Sequence, residues 1–426
     1  MKKYIITHKE ELIVCLIFII FAFSFNVYRV ESDGRYYYTF LERMLMIAHP
    51  ENPITEIKST GFFQSGCAYF NAPFYLCAYF LENLGLRVNF NGITLRQAAI
   101  NLASNFYLLC SLLLAVAILK KLKFKHIILP VISILFSTSA FSVAVIMPSF
   151  NHTVDIFVTT LFIYQLLKLE DSKPGKVIWL GAFAVIAVFV RYFNFLLVIS
   201  AILYYLSGRQ YQRLKYFLYG FLGLVWLIPL VFYSYNHTIS LFYHTSYLNK
   251  STAIPFPVIP KYALRYLLHP LHGLFVWSPV TIFSALGLLF AAKGLKRLLY
   301  TLLAFWIMFL FLYGNMSFWN AGWSFSNRYL VSLFPVYIIG LSAFLQNKKK
   351  AFFNLLIIAL SLYSVILFLN WQLCIMNAEF GTPADMIEAW IKGYSDSFID
   401  QKVNLGNFLY RLGEYSRYKY IFRLLA

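Results

Sequence analysis

Acidic residues are scarce in this sequence: 17 Asp and Glu stand against 36 Lys and Arg in a chain of 426. Charge of either sign is thin, at 12% of residues, where a soluble domain carries about 25%. With 60% hydrophobic residues and a mean hydropathy of +0.67, too little charge remains to dissolve the apolar surface, which excludes a soluble globular domain. Motifs are missing as well. No Walker loop, dinucleotide fingerprint, serine-nucleophile elbow or zinc signature occurs. The net charge of +19 raises nucleic acid as a partner, but no basic stripe or nucleic-acid motif supports it, and we expect none to bind. The cysteines Cys15, Cys67, Cys77, Cys110 and Cys374 show no metal-ligand spacing. Cys15 and Cys110 read as core packing, whereas Cys67 and Cys77 share one outer loop and either pair as a disulfide or stay reduced.

What the chain does have is a series of apolar runs of spanning length, for which roughly 20 residues suffice. Eleven crossings are expected, near 12–30, 97–119, 127–147, 153–168, 177–190, 193–206, 216–235, 274–292, 298–314, 329–345 and 351–370. The first run follows Met1-Lys2-Lys3 and shows no small-x-small cleavage site, so it reads as an uncleaved span. Lys and Arg gather in alternate short loops: Lys2, Lys3 and Lys9; Lys120 to Lys125; Lys168 to Lys176; Arg209 to Lys215; Lys293 to Arg297; and Lys348 to Lys350. These loops hold 19 of the 36 basic residues. By the positive-inside rule they face the cytoplasm, which puts the N-terminus inside and the C-terminus outside a bacterial cytoplasmic membrane.

Residues 177–206 test that scheme. They are too long for one ordinary span and too short for two full ones. A single tilted helix would turn the basic loop around Arg209–Lys215 outward. The charge pattern favours two half-spans meeting at Arg191-Tyr192-Phe193-Asn194, a broken hairpin that must line protein or water. The expected organisation is a transmembrane domain over 1–370, with outer loops at 31–96, 236–273 and 315–328, and a short outer tail over 371–426. All inner loops are short, so the working surface is expected outside. The basic, aromatic end of the tail fits a bilayer surface.

With so few acids, each can be placed. Glu31 and Asp33 follow the first span within Glu31-Ser32-Asp33-Gly34-Arg35-Tyr36-Tyr37-Tyr38. Two carboxylates so close can hold a divalent metal or supply a general base, beside the plain alternative of solvated charges at a helix end. Tyr36 and Tyr37 suit contact with a polar ring. Asp155 is the one acid well inside an apolar run, with His152 a helical turn earlier; an intramembrane carboxylate reads first as functional, though a structural hydrogen bond would also explain it. Arg328 opens the tenth run after a loop containing Trp323, and arginine grips phosphate as a planar fork. An interfacial aromatic belt would account for the same Trp and Tyr residues. Arg191 is the other deep cation and either meets phosphate or pairs with Asp155. The second outer loop adds Arg265, His269 and His272.

Three pieces of this sequence resemble the GT-C superfamily of multi-span glycosyltransferases, in particular its protein O-mannosyltransferase and aminoarabinose-transferase branch. Glu31-x-Asp33 looks like the superfamily's modified acidic pair. Gly273-Leu274-Phe275-Val276-Trp277-Ser278-Pro279 is similar to a segment of bacterial members, and Trp319-x-x-Gly322-Trp323-Ser324-Phe325-x-x-Arg328-Tyr329-Leu330 to a late-loop motif. The resemblance implies an all-α, GT-C-like membrane fold. It also implies transfer of a sugar from a polyprenyl-phosphate carrier to an acceptor (lipid, glycan or protein) on the outer face. Asp33 and Glu31 would then be the catalytic acids, with a divalent metal on them if one takes part; Arg328, Arg265 and Arg191 would face the donor phosphate; Tyr36, Tyr37 and Trp323 would touch acceptor or sugar; and Asp155, His152, His269 and His272 would be secondary candidates. The rival readings are a flippase or transporter of lipid-linked sugars, an O-antigen polymerase or ligase, and a non-catalytic scaffold. Long outer loops and an outer acidic pair speak for the transferase.

Overall fold

The computed structural model describes residues 8–26, 30, 33–45, 66–86, 89–90, 93–236, 259–290, 293–314, 324–346, 351–373, 382–392, 394–395, 401–402, 405 and 408. Among them the chain is α-helical apart from two antiparallel pairs of two-residue strands, β1 (Asn89–Phe90) with β2 (Ile93–Thr94) and β3 (Tyr394–Ser395) with β4 (Gln401–Lys402). Five of the described helices are long and apolar enough to cross a bilayer, at Leu95–Lys121, Tyr211–Val231, Lys296–Tyr313, Arg328–Gln346 and Ala351–Gln372, and a sixth crossing counts if one bent pair is a single span. The chain is an all-α integral membrane protein.

The helices run in the order α1 (Lys9–Phe25), α2 (Asp33–Met44), α3 (Gly66–Asn83), α4 (Leu95–Lys121), α5 (Ile128–Ser137), α6 (Ser139–Val145), α7 (His152–Glu170), α8 (Ile178–Val190) and α9 (Phe195–Ser207). There follow α10 (Tyr211–Leu224), α11 (Leu227–Asn236), α12 (Ile259–Leu268), α13 (Leu274–Trp277), α14 (Val280–Leu289), α15 (Lys296–Gly314), α16 (Phe334–Gln346), α17 (Ala351–Gln372) and α18 (Pro383–Lys392). A 3-10 turn over Arg328–Leu333 leads into α16. The stretch expected as the first outer loop carries α2 and α3, and the open question of a Cys67–Cys77 bridge is answered. Cys67 and Cys77 both lie on α3 as free thiols; ten residues at 1.5 Å each separate them by about 15 Å along the helix axis, beyond disulfide reach.

One end of the bundle gathers the basic loops. Lys120 at the end of α4 pairs with Glu10 at 3.2 Å and Glu11 at 2.7 Å at the start of α1. Lys121 pairs with Asp171 at 2.7 Å just beyond α7 and holds that carboxyl below its ordinary value. The amide of Lys125 donates to the Gln346 side chain at 3.0 Å, bringing in the end of α16. Arg213, on α10, donates to the carbonyls of Leu169, Glu170 and Ser172 and so caps the C-terminus of α7. Tyr204 of α9 donates to Glu170 at 2.7 Å, and Arg297, at the start of α15, pairs with the same carboxylate.

These contacts decide the course of residues 177–206. α8 begins a few residues after Glu170, and α9 ends with Tyr204 on Glu170, so both ends of the unit lie at the basic end and the chain reverses between them. The reversal falls at Arg191, whose extended backbone (φ −154°, ψ 122°) ends α8, and at the 3-10 turn Tyr192–Asn194. Other expected spans are broken too. The run near 127–147 bends by 67° between α5 and α6, where extended Thr138 closes one helix and its hydroxyl accepts from the amide of Ala140 to open the next. Pro279, lacking an amide hydrogen, separates α13 from α14.

Close packing comes from small residues. A Cβ on Gly287 of α14 would sit 1.8 Å from the carbonyl oxygen of Gly340 on α16, and one on Gly340 would sit 2.3 Å from that of Ser284. Gly181 of α8 and Gly220 of α10 meet the facing backbones in the same way. Without a hydrophobic drive between helices in lipid, such close approach supplies much of the attraction.

Candidate functional site

The site is built on the break after α8. Ending a helix in the bundle frees backbone groups and turns the Arg191 side chain inward, where it is 5% exposed. Its Nη1 donates to Asp155 Oδ2 at 2.7 Å and to Ser332 Oγ at 3.0 Å, and its Nη2 donates to the Tyr313 hydroxyl. Asp155 is fully buried. Its Oδ1 accepts from Asn194 Nδ2 at 2.8 Å, and its Oδ2 also accepts from the Ser332 hydroxyl. Asn194 donates in addition to the carbonyl of Ala187 at 2.9 Å, which ties the turn back onto α8. Of the two partners considered for Arg191, the structure gives it Asp155. A buried charge pair persists only when its remaining polar capacity is satisfied; here α7, α8, α15 and the turn before α16 each supply a group.

Around this pair stands an aromatic wall. Tyr313 stacks on Tyr329 with ring centres 5.4 Å apart, and Tyr266 of α12 meets Tyr313 edge-on at 6.0 Å. On the side away from the basic end, further segments arrive. Arg328 lies 5.2 Å from the Phe150 ring and 5.7 Å from that of Tyr329. His152 is 4% exposed and lies within the field of both Arg191 and Arg328. The first turn of α2 presses on Ser149, since a Cβ on Gly34 would fall 1.7 Å from the Ser149 hydroxyl oxygen. α3 also begins here: a Cβ on Gly66 would meet the backbone of Phe189 and Val190 at 2.4 to 2.6 Å, and Cys67 lies within the field of Asp155.

The expected site residues divide accordingly. Arg191, Asp155, His152 and Arg328 come together. Tyr37 is buried and acts electrostatically on Arg191, whereas Tyr36, the next residue round the helix, is 38% exposed; consecutive helical residues point about 100° apart, so the two do not share one pocket. Glu31, Trp323 and the side chain of Asp33 lie outside the described residues, and for Asp33 the structure gives only its backbone place at the start of α2. The motif over 273–279 and the one over 324–330 do meet: Trp277 packs edge-on against Phe325 at 5.5 Å, and the Ser278 and Ser326 hydroxyls are 3.3 Å apart. Ser326 holds a left-handed φ of 53°, a strained choice for a residue with a side chain. His272 stacks on Trp277 at 5.6 Å. His269 accepts from the amide of Leu271 at 3.2 Å, and burial, then the Arg265 charge, pushes its imidazole below the ordinary histidine value.

Sequence reasoning missed Ser332, Tyr313 and the role of Asn194. Each polar group stands at the edge of an apolar run and carried no motif. Among the described residues no group of three or more His, Cys, Asp or Glu could hold a metal ion. No family model matches the chain, and none of the curated proteins does.

Proposed function

We propose that this chain is a GT-C-like membrane glycosyltransferase of eleven crossings, with its N-terminus in the cytoplasm and its C-terminus outside a bacterial cytoplasmic membrane. It moves a sugar from a polyprenyl-phosphate carrier to an acceptor on the outer face, with inversion. One observation carries the reading: the start of α2, the segment from Ser149 to Asp155 and the turn at Arg328 converge at the end of the bundle opposite the basic loops. In this reaction the acceptor hydroxyl attacks the anomeric carbon as the bond to the carrier phosphate breaks. Asp33, one helical turn before Tyr37, takes the hydroxyl proton. The phosphate leaves with the bonding electrons, and Arg328, with Arg265 as a second candidate, stabilises that charge. The Arg191–Asp155 pair serves as the rigid floor. Glu31 and Asp33 would be the ligands if a divalent metal takes part.

The test is sugar transfer from a polyprenyl-phosphate sugar by the purified chain in nanodiscs. Asp33→Asn should lower turnover by about 10²–10⁴ while eluting as a single folded species. Near-full turnover in that variant would remove the base assignment. Absence of transfer from a panel of carrier sugars by the wild type would remove the function. A buried ion pair at a broken helix also favours a second reading, a flippase of lipid-linked sugars; lipid translocation in sealed vesicles without transfer would establish it.

A further inference from the structure

A polar knot joins α2, α3 and α4 at the end of the bundle opposite the basic loops. Arg96 stands in the first turn of α4, whose far end carries Lys120 and Lys121. Its Nη1 donates to the Tyr75 hydroxyl at 2.8 Å, and that hydroxyl donates to Glu42 Oε1 on α2 at 3.3 Å. Arg96 Nη1 also lies 3.8 Å from Glu42 Oε1, and its Nε lies 2.8 Å from Glu82 Oε2 on α3. Glu42 is buried. A turn earlier on α2, Tyr38 hydrogen-bonds the Thr94 side chain and meets Tyr75 edge-on at 5.7 Å. Arg96 thus answers two carboxylates at once, which suits a planar fork better than a lysine ammonium.

α2 needs such a tie. It has 12 residues, and helices shorter than about 12–15 residues are marginal on their own. Its apolar anchor beside the knot is small, with Leu41 packed among Ala68, Tyr75 and Ile100. Apolar contact lets a short helix roll or slide, whereas charge-assisted hydrogen bonds are directional and fix its register. Register matters at the other end of α2. There Gly34 presses on Ser149, Tyr37 acts on Arg191, and Asp33 begins the helix. The eight residues from Gly34 to Glu42 make about 12 Å of helix, so a roll or tilt at the knot is carried to Asp33.

We propose that Arg96 is a positioning residue: through Tyr75 and Glu42 it latches α2, and so sets where the helix start with Asp33 meets the site. The latch rests on geometry alone. What it positions, a base for sugar transfer, rests on the transferase reading. Arg96→Met leaves Glu42 and Glu82 without the cation between them, which favours release of α2.

Amide hydrogen exchange of the full chain in nanodiscs, read peptide by peptide, tests this together with sugar-transfer kinetics. Arg96→Met should speed exchange across residues 33–44 by about tenfold or more, through loss of a partly buried ion pair, while α14 and α16 exchange as in the wild type. Tyr75→Phe keeps both charges and the ring but loses the relaying hydroxyl. It should speed the same amides severalfold, and it decides the question if Arg96→Met does not fold. Arg96→Lys keeps the charge without the fork and should fall between the wild type and Arg96→Met. In transfer, Arg96→Met should lower kcat by up to about 10²-fold, the cost of a misplaced group. KM for the carrier sugar should change little, and Arg96→Lys should restore part of the loss. Unchanged exchange of α2 in both Arg96→Met and Tyr75→Phe, or a rise shared by α14 and α16, would overturn the latch. Faster exchange confined to α2, with no transfer by the wild type itself, would keep the latch and end the transferase reading. Transfer by the wild type with kcat unaltered in Arg96→Met would keep that reading and overturn the positioning role.

Discussion

At the scale of single residues, the buried pair of Asp155 and Arg191 is where sequence and structure agree most closely. Asp155 stood out because an apolar run gives a carboxylate no reason to exist without a partner, and Arg191 because it interrupts another run. Their partners were less visible: Ser332 and Tyr313 are ordinary residues at helix edges, and only the folded arrangement of α7, α15 and the turn before α16 brings them to one point. The pair is more easily broken than removed. Arg191→Met leaves Asp155 charged and buried, and should cost about 3–5 kcal/mol. Asp155→Leu with Arg191→Met deletes both charges and should cost clearly less than Arg191→Met alone. Thermal unfolding of the purified variants measures both. A double variant as unstable as the sum of its singles would show that the two residues act separately.

At the scale of elements, apolar runs located the helices but not their interruptions. The break at Arg191–Asn194 was legible because charge at both ends of a 30-residue run demanded a reversal. The bend at Thr138 was not, because a threonine between apolar stretches looks like any other small residue until its hydroxyl is seen taking the Ala140 amide. The helical content of the first outer loop was hidden for a related reason: α2 is amphipathic and short, and α3 contains Pro73. Glycines separate packing from propensity. Gly340→Val puts carbon against the Ser284 carbonyl 2.3 Å away, so α14 and α16 must part, at about 1–3 kcal/mol. Gly223→Ala, on α10, meets nothing within 4 Å and should be neutral or stabilising by up to about 1 kcal/mol. Thermal unfolding in detergent compares them, and equal effects would mean that the α14–α16 approach is not tight.

At the scale of the whole molecule, the distribution of charge and the arrangement of helices make the same statement from independent sources. The basic loops were grouped by the alternation of apolar runs, with no knowledge of where they meet. In the folded chain Lys120 reaches Glu10 and Glu11, Lys121 reaches Asp171, Arg213 reaches the end of α7, and Arg297 reaches Glu170. One end of the bundle therefore carries the excess of Lys and Arg, and the candidate site lies toward the other. Moving one such loop across the bilayer would carry several cations through hydrocarbon at a cost of about 2.5–3.5 kcal/mol each even on the mildest scale, so the whole set should lie on one side and, by the positive-inside rule, in the cytoplasm. A cysteine-depleted chain carrying Lys123→Cys, Lys215→Cys or Leu84→Cys checks this in intact cells with a membrane-impermeant maleimide. Lys123→Cys and Lys215→Cys should label only after permeabilisation, and Leu84→Cys, beyond α3 and 68% exposed, should label from outside. Lys215 alone tests the hairpin, because a single crossing over residues 177–206 would move it outward while leaving Lys123 inside. Labelling of Lys215→Cys in intact cells would therefore refute the reversal at Arg191, and labelling of both lysine positions from outside would invert the protein and place the site in the cytoplasm.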